Sequence, residues 1–309
     1  MRGAWIAGSV KARLLVAERR LGPAGARRLE SLPTLQDALS ELERSPYRRE
    51  LGQAHALADA QRALLSTVLL ELRLIAGWLP SDALELVRTL AGWYELANLE
   101  DRIAYLDGAP PRPPFELGSL DAGWSAASGA QSLAEIRSAL APTRWGDPGG
   151  ETPAELGLGL RLAWARRVAA DVPEALSWAA GATALLVARE LFVAGLPVDA
   201  LPLPSVRLLG TAWPAAHTYE RFAAALPAQA GWALEPAPEP DLLWRAEAGW
   251  WARVEQQAAS LLGRAVAGRN VVVAAAALLA ADARRVAVTL AGVARRGLPG
   301  VSEAFDATA

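Results

Sequence analysis

The sequence predicts an all-α protein, and three observations support that fold class. Ala, Leu, Arg and Glu, which favour helices, dominate the chain. β-Branched residues are sparse outside Val271–Val273. Apolar residues recur at the spacing of one helix face, as in the series Leu57, Leu64, Val68, Leu72, Ile75 and Leu79.

Helix starts and loops can be located from Pro, Gly and capping residues. The run Thr152-Pro153-Ala154-Glu155 places a capping hydroxyl, a proline with preset φ and a reciprocal carboxylate in order, which predicts a helix start near Pro153. The run Asp171-Val172-Pro173-Glu174 repeats this pattern and predicts another start near Pro173. Clusters of Pro and Gly predict loops at 108–118, 196–204 and 234–240, and the first two are the expected joints between units.

Three segments share one pattern, which predicts an internal repeat. Each opens with a hydroxyl residue at an expected N-cap, has a Leu eight positions on, and ends in an aromatic residue thirteen or fourteen positions on; the members are Thr34, Leu42 and Tyr47, then Ser132, Leu140 and Trp145, then Thr218, Leu226 and Trp232. Asp37 and Glu135 supply a capping acid in the first two copies, where the third has Arg221.

Two long helical stretches are expected after each copy. They are Leu51 to Trp78 and Asp82 to Leu106, Pro153 to Ala170 and Pro173 to Ala194, and Pro240 to Leu262 and Val271 to Arg296. We therefore predict three similar helical domains over residues 1–112, 113–203 and 204–309. A solenoid is disfavoured, because the period near 90 residues exceeds the 20 to 50 typical of such repeats.

Composition excludes several classes of function. The 309 residues include no Cys, so disulfides, thiolate zinc sites, cysteine nucleophiles and iron–sulfur clusters are excluded. With 31 basic and 33 acidic residues, nothing favours binding to nucleic acid. The longest apolar runs, Val271 to Ala281 and Ala175 to Ala188, fall short of the ~20 residues of a membrane-spanning helix. We therefore expect an intracellular protein that does not span the membrane.

Catalytic and metal-binding motifs are absent from the sequence. The two histidines, His55 and His217, are far apart and lack a Glu or His at the spacing of a helical zinc site. No nucleophile elbow, phosphate-binding loop or dinucleotide-binding turn occurs. The neighbouring carboxylates Glu100 and Asp101, like Glu239 and Asp241, are typical of solvated faces and helix caps. The sequence predicts no catalytic residue, cofactor or metal.

Arginine doublets and tryptophans are the remaining unusual features. Solvated helix faces explain most doublets, although guanidinium groups also suit an acidic partner surface; the doublets are Arg19-Arg20, Arg27-Arg28, Arg48-Arg49, Arg166-Arg167, Arg284-Arg285 and Arg295-Arg296. The 12 Trp residues are expected in the core, with an interface rim as the functional alternative.

Three segments carry a resemblance to a known family. The opening GSVKARLLVAERRLGPAGARRLESLPTLQDALSELERSPYRREL resembles the start of the central-stalk connector of V/A-type rotary ATPases, a family that occurs in the prokaryotic and the vacuolar enzymes. The matching positions are Ala12, Arg13, Leu14, Leu15, Leu42, Ser45 and Tyr47. WYELANLEDRIAYLDG from Trp93 is similar to the family's Asn-Leu helix through Asn98 and Leu99, with Glu100 in place of the usual Lys. The ending from Ala281 is similar to the family's last helix.

The resemblance implies a fold, a function and partners. The fold is a pseudo-threefold funnel of three helical domains without an active site. It joins the other proteins of the central stalk to the proteolipid rotor ring at the cytoplasmic face of the membrane and transfers torque between them. On this interpretation we predict partner contacts at Arg48 and Arg49 beside Tyr47, at Arg144 beside Trp145, and at Trp232.

An all-α enzyme with an aromatic-lined pocket for an apolar substrate is the alternative function. It requires converging polar groups that the sequence does not reveal. A polar central opening lined by all three units would favour the connector, whereas an enclosed apolar cavity with perturbed carboxylates would favour the enzyme.

Overall fold

In a computed structural model of the chain, the described residues are 2–52, 56–198, 201 and 207–296, and they contain helices but no strand. The fourteen α-helices in these ranges are α1 (Arg2–Glu18), α2 (Gly22–Glu30), α3 (Leu35–Leu42), α4 (Arg48–Leu51), α5 (Leu57–Trp78), α6 (Leu84–Leu106), α7 (Trp124–Ala127), α8 (Leu133–Leu140), α9 (Pro153–Asp171), α10 (Leu176–Phe192), α11 (Tyr219–Ala225), α12 (Ala228–Gly231), α13 (Leu243–Arg264) and α14 (Arg269–Arg296). The all-α class is confirmed.

Five of the six predicted long helices are confirmed to within three residues at each end; the first begins at Leu57 rather than Leu51, which is the last residue of α4. Helix α9 begins at Pro153, and Thr152 and Glu155 form the predicted capping box. The second predicted cap is wrong, because Asp171 is the last residue of α9 and accepts a hydrogen bond from the Thr89 hydroxyl at 3.1 Å. A 3-10 turn, Pro173–Ala175, leads into α10 without a side-chain cap.

The terminal unit, residues 1–80 with 258–309, is built around α14. Helices α1, α2, α3 and α5 pack against α14. The apolar run Val271–Ala276 of α14 is buried. Helix α1 also packs on α5 at Gly8, where an added β-carbon would overlap the side chain of Leu79. Glycine at position 8 therefore leaves room for the side chain of Leu79, which directly follows α5.

The middle unit, residues 81–257, has helices α6, α9 and α10 at its centre. Helix α9 packs against α6 and α10, and α10 packs against α11 and α12. One core cluster lies around Trp213, Tyr219 and Phe222, whose rings meet edge to face with Phe192 or with each other. These aromatic residues therefore pack against one another in the core. The division at residues 112 and 203 stays a prediction.

One segment, Pro173–Phe192, is long and apolar enough to cross a membrane by length and composition alone. More than half of its apolar window is buried inside the protein. Its residues Ala180, Ala184 and Val187 belong to the core cluster of the middle unit. Burial in a core explains the apolar composition of this helix.

Two glycines of α9 provide a matched test of its packing. A β-carbon at Gly159 would overlap the carbonyl oxygen of Pro148, whereas one at Gly157 would meet no atom within 4 Å. We expect Gly159→Ala to destabilise the protein by about 1–3 kcal/mol through overpacking. Gly157→Ala is expected to stabilise it by about 0.5–1 kcal/mol, because Gly is a poor helix former. Urea unfolding of both variants measures the difference, and equal midpoints would contradict this account.

Candidate partner-binding surface

The first repeat motif holds Tyr47 in the core through a short chain of hydrogen bonds. The Thr34 hydroxyl caps α3 by accepting from the Asp37 N–H at 3.2 Å. After α3, the Ser45 hydroxyl donates to the Leu42 carbonyl at 2.6 Å and accepts from the Tyr47 N–H at 3.1 Å. This turn directs the ring of Tyr47 inward, where it is 1% exposed.

The second motif repeats this geometry 98 positions later. Ser132 caps α8 by accepting from the Glu135 N–H at 3.2 Å. The Thr143 hydroxyl donates to the Leu140 carbonyl at 2.6 Å and accepts from the Trp145 N–H at 3.1 Å. The indole of Trp145 is fully buried. The motif predicted from residue spacing is therefore one structural element in these two places.

The third motif shares the cap but not the turn. The Thr218 hydroxyl accepts from the Arg221 N–H at 3.3 Å. Leu226 then takes an extended conformation, and the short helix α12 intervenes before Trp232. The Trp232 indole donates to the Gln229 carbonyl at 2.9 Å, and the Arg253 guanidinium lies 4.3 Å from its ring centroid.

A buried carboxylate, Asp282 of α14, anchors the first motif. It accepts from the backbone N–H groups of Leu21 and Gly22 at 2.7 and 2.9 Å, and from the Tyr47 hydroxyl at 2.9 Å. Arg285 lies 3.3 Å from the same carboxylate. Gly22 has φ +72°, a conformation that favours glycine, at the point where the chain enters α2. One carboxylate thus joins α14, the start of α2 and the motif turn.

Glu95 of α6 takes a similar place beside the second motif. It accepts from the backbone N–H groups of Ala122 and Trp124 at 3.1 and 2.6 Å. Burial raises the pKa of Glu95, while the indole of Trp145 and these two N–H groups oppose that rise. The guanidinium of the buried Arg167 stacks 5.0 Å from the Trp145 ring centroid and counters the charge of Glu95.

The predicted contact residues fall into two groups. The structure buries Tyr47, Trp145 and Trp232, so their side chains serve the fold of this chain. Arg48 and Arg49 are exposed at the start of α4, directly after the buried Tyr47. A partner can reach the guanidinium groups of these two arginines, and the prediction of a contact surface therefore depends on them.

Arg144 is half-exposed and already forms an ion pair. Its Nη1 lies 2.6 Å from Glu85 Oε2, and Arg88 binds the other carboxylate oxygen of Glu85 at 2.6 Å. Arg49 has a weaker local pair, since its Nε lies 3.8 Å from the adjacent Glu50. The two exposed arginines of α4 are therefore better placed than Arg144 to bind a partner.

The two units have net charges of opposite sign. The terminal unit has 18 basic and 11 acidic residues, a net charge of +7, whereas the middle unit has 13 basic and 22 acidic residues, a net charge of −9. In the terminal unit, Arg19, Lys11 and Arg49 all act on the buried Glu71, whose pKa burial raises and these cations lower. Arg48 and Arg49 are therefore exposed cations in a unit of net positive charge, which favours an acidic partner.

Sequence reasoning missed the buried carboxylates Asp282 and Glu95. Asp282 interrupts an apolar run and has Leu278 and Val286 one turn away on either side, both buried. Glu95 similarly shares a helix face with Ala91 and Leu99. A charged residue on an apolar helix face is the signal that could have identified both.

Other candidate chemistry receives little support from the described residues. His217 is exposed, and His55 lies outside the described ranges. No group of three or more His, Asp or Glu side chains able to hold a metal occurs in the part of the chain that the structure describes. No model of a known protein family matches the chain, and no curated protein matches it significantly.

The Tyr47 hydroxyl is a testable component of the Asp282 anchor. Tyr47→Phe should destabilise the protein by about 1.5–3 kcal/mol, because a buried hydrogen bond to a charged group is lost. Tyr105→Phe, at an exposed tyrosine, is the control and should change stability by less than about 0.5 kcal/mol. Urea unfolding compares the two variants, and equal effects would show that the Asp282 bond contributes little.

Glu95 predicts a pH dependence of stability. Because burial raises its folded-state pKa above the ordinary 4.5, its stabilising contribution is complete below that value and is lost as pH rises through the folded pKa. Glu95→Gln keeps an acceptor oxygen for the two N–H groups and removes the charge. The variant should therefore gain stability relative to the wild type as pH rises from about 4.5 to 8.

Unfolding in urea across this pH range measures the Glu95 effect. Asp107→Asn, at an exposed carboxylate after α6, controls for the loss of one negative charge. A difference between Glu95→Gln and wild type that stays constant with pH, or that has the opposite slope, would show that Arg167 compensates the buried charge fully.

Proposed function

We propose that the chain is the non-catalytic connector of a V/A-type proton- or sodium-translocating rotary ATPase. It couples the central stalk to the membrane proteolipid ring and transfers torque between them. Its place is in the cytoplasm, peripheral to the membrane as part of a membrane complex. The proposal includes the pseudo-threefold arrangement of three helical domains over residues 1–112, 113–203 and 204–309.

The observation that carries the proposal is the repetition of the motif turn. Ser45 with Tyr47 and Thr143 with Trp145 make the same two hydrogen bonds at the same spacing. The first copy of the motif lies in the opening segment, through which the sequence resembles the connector family. A structural repeat of this kind supports a chain built from copies of one helical unit, as that family is.

A connector must be stiff, and several features of the chain supply stiffness. Helices α5, α6, α13 and α14 each have 22 or more residues. Asp282 and Glu95 each join a long helix to backbone N–H groups of a neighbouring segment. Such buried carboxylates resist shear, because moving one element breaks more than one hydrogen bond at once.

The exposed arginines of α4 supply a means of docking. Arg48 and Arg49 are exposed within a unit of net charge +7. Charge complementarity sets the orientation and specificity of a complex more than its affinity. A protein that transfers torque must bind its partner in one orientation, and exposed guanidinium groups on a rigid turn suit that task.

The test is recovery of partner proteins with the tagged chain from detergent-solubilised membranes, followed by mass spectrometry. We expect stalk proteins and a small proteolipid to be recovered. Arg48→Glu with Arg49→Glu should lower that recovery by about tenfold or more at low ionic strength, and less at high salt, since exposed charges are screened.

The control is Arg166→Glu with Arg221→Glu, which makes the same change of net charge at exposed positions of the middle unit. This variant should keep the recovery of the wild type. Failure of the wild-type chain to recover any other protein of a rotary ATPase would overturn the connector proposal and favour the enzyme alternative. Equal losses of partner recovery in both double variants would show that the effect depends on net charge and not on the α4 arginines.

A further inference from the structure

Helix α1 exposes a continuous apolar row on the outer side of the terminal unit. Ile6, Val10 and Leu14 follow at steps of four, and their exposed fractions are 49%, 52% and 48%. Gly3 and Ala17 extend the row at steps of three. These steps keep all five residues on one helix face over about 21 Å, close to four turns.

The opposite face of α1 is apolar as well. Ala12, Leu15 and Val16 are buried in the terminal unit. A surface helix ordinarily has polar residues opposite its buried face, and a helix that is apolar all round is covered on both sides. The row on α1 therefore has the composition of a covered surface.

Cations border the row on both sides. At 100° per residue, Arg2 and Arg13 lie along one border and Lys11 along the other. Arg13 is fixed there, because its guanidinium donates to the carbonyl oxygens of Leu262 and Ala265. Glu18, one turn after Leu14 on the Lys11 side, is the first acidic residue of α1 and lies at the end of the row. The row and its borders therefore complement an apolar strip with acidic edges.

We propose that this face of α1 binds an amphipathic helix with acidic flanks on a partner protein of the same complex. For the identity of the partner, the inference rests on the proposed function. Ile6, Val10 and Leu14 form the ridge, and Gly3, Ala7 and Ala17 are small enough for a second helix to pack at the usual 8–10 Å between axes. The length of the row suits a partner helix of about four turns.

The shape of the row favours a protein helix over a lipid surface. Helices that bind in a membrane interface present a wide apolar face with Trp, Phe or Leu. The α1 row is one residue wide at its ridge, contains no aromatic residue, and its large side chains are already about half-covered by neighbours. Interdigitation with the ridges of another helix requires that depth.

The experiment places a photo-cross-linking amino acid, benzoylphenylalanine, at position 10 of the full chain in cell membranes. The control is the same residue at position 288, where Val288 is 54% exposed on α14 of the same unit. Cross-linked peptides are mapped by mass spectrometry. We expect position 10 to capture a helix of another protein of the complex with acidic residues beside its apolar face, and position 288 not to capture it.

A second variant tests the charge arrangement. Val10→Glu places a negative charge in the row. Without a cross-linker, it should lower co-purification of the partner identified by cross-linking by about tenfold or more, whereas Val288→Glu should leave that co-purification unchanged. Circular dichroism and urea unfolding of both variants establish that they are folded. Equal recovery from Val10→Glu and wild type would overturn the proposal.

The outcomes separate this inference from the proposed function. Capture of an acidic helix on another rotary ATPase protein supports both, and capture of such a helix on an unrelated protein supports the inference while overturning the connector function. Recovery of ATPase proteins with the chain, combined with capture of lipid, of a second copy of this chain or of nothing at position 10, overturns the inference alone.

Discussion

A buried carboxylate that accepts backbone N–H groups is the interaction on which the described structure most depends. Asp282 binds the N–H groups at the start of α2 together with the Tyr47 hydroxyl. Burying a charge is costly unless hydrogen bonds replace its hydration, so the carboxylate is stable only where these partners stay in place. The position of Tyr47 in turn fixes the start of α4. Asp282, which is 234 positions after Arg48 in the sequence, therefore helps to position the exposed side chains of Arg48 and Arg49.

The same arrangement recurs in the middle unit with different chemistry. Glu95 accepts two backbone N–H groups as Asp282 does, yet the aromatic residue beside it is Trp145, and Arg167 stacks on that ring. Asp282 binds the hydroxyl of the motif's own Tyr47, whereas Glu95 binds the N–H groups of the segment that leads into α7. Around Trp232 an arginine also stacks on the ring, but the indole bonds to a local carbonyl. The hydroxyl cap is thus common to all three motifs, and the acid anchor belongs to the first two.

Much of the fold could be predicted from sequence because its signals are local. The 3.6-residue apolar period located the long helices, and the Thr152 capping box marked the start of α9. The cap predicted at Asp171 was wrong because Asp-x-Pro is ambiguous: the side chain can bond to a distant group, and here Thr89 donates to it. The candidate site was predictable only in part. Spacing identified Tyr47 and Trp145, but their burial depends on carboxylates far away in the chain, and the pairing of Arg144 with Glu85 spans 59 residues.

The net charge of the whole chain does not reveal that its two units are oppositely charged. A value of −2 predicts no strong electrostatic preference, yet the two compact units have net charges of +7 and −9. Each unit is therefore expected to favour a partner of opposite charge. Complementary potentials guide association and disfavour the wrong orientation. The apolar row of α1 lies in the positive unit, with Arg2, Lys11 and Arg13 along its borders. Apolar contact there supplies affinity but does not set the orientation of a bound helix. The bordering cations set that orientation. Together the two features favour an acidic amphipathic helix more specifically than either does alone.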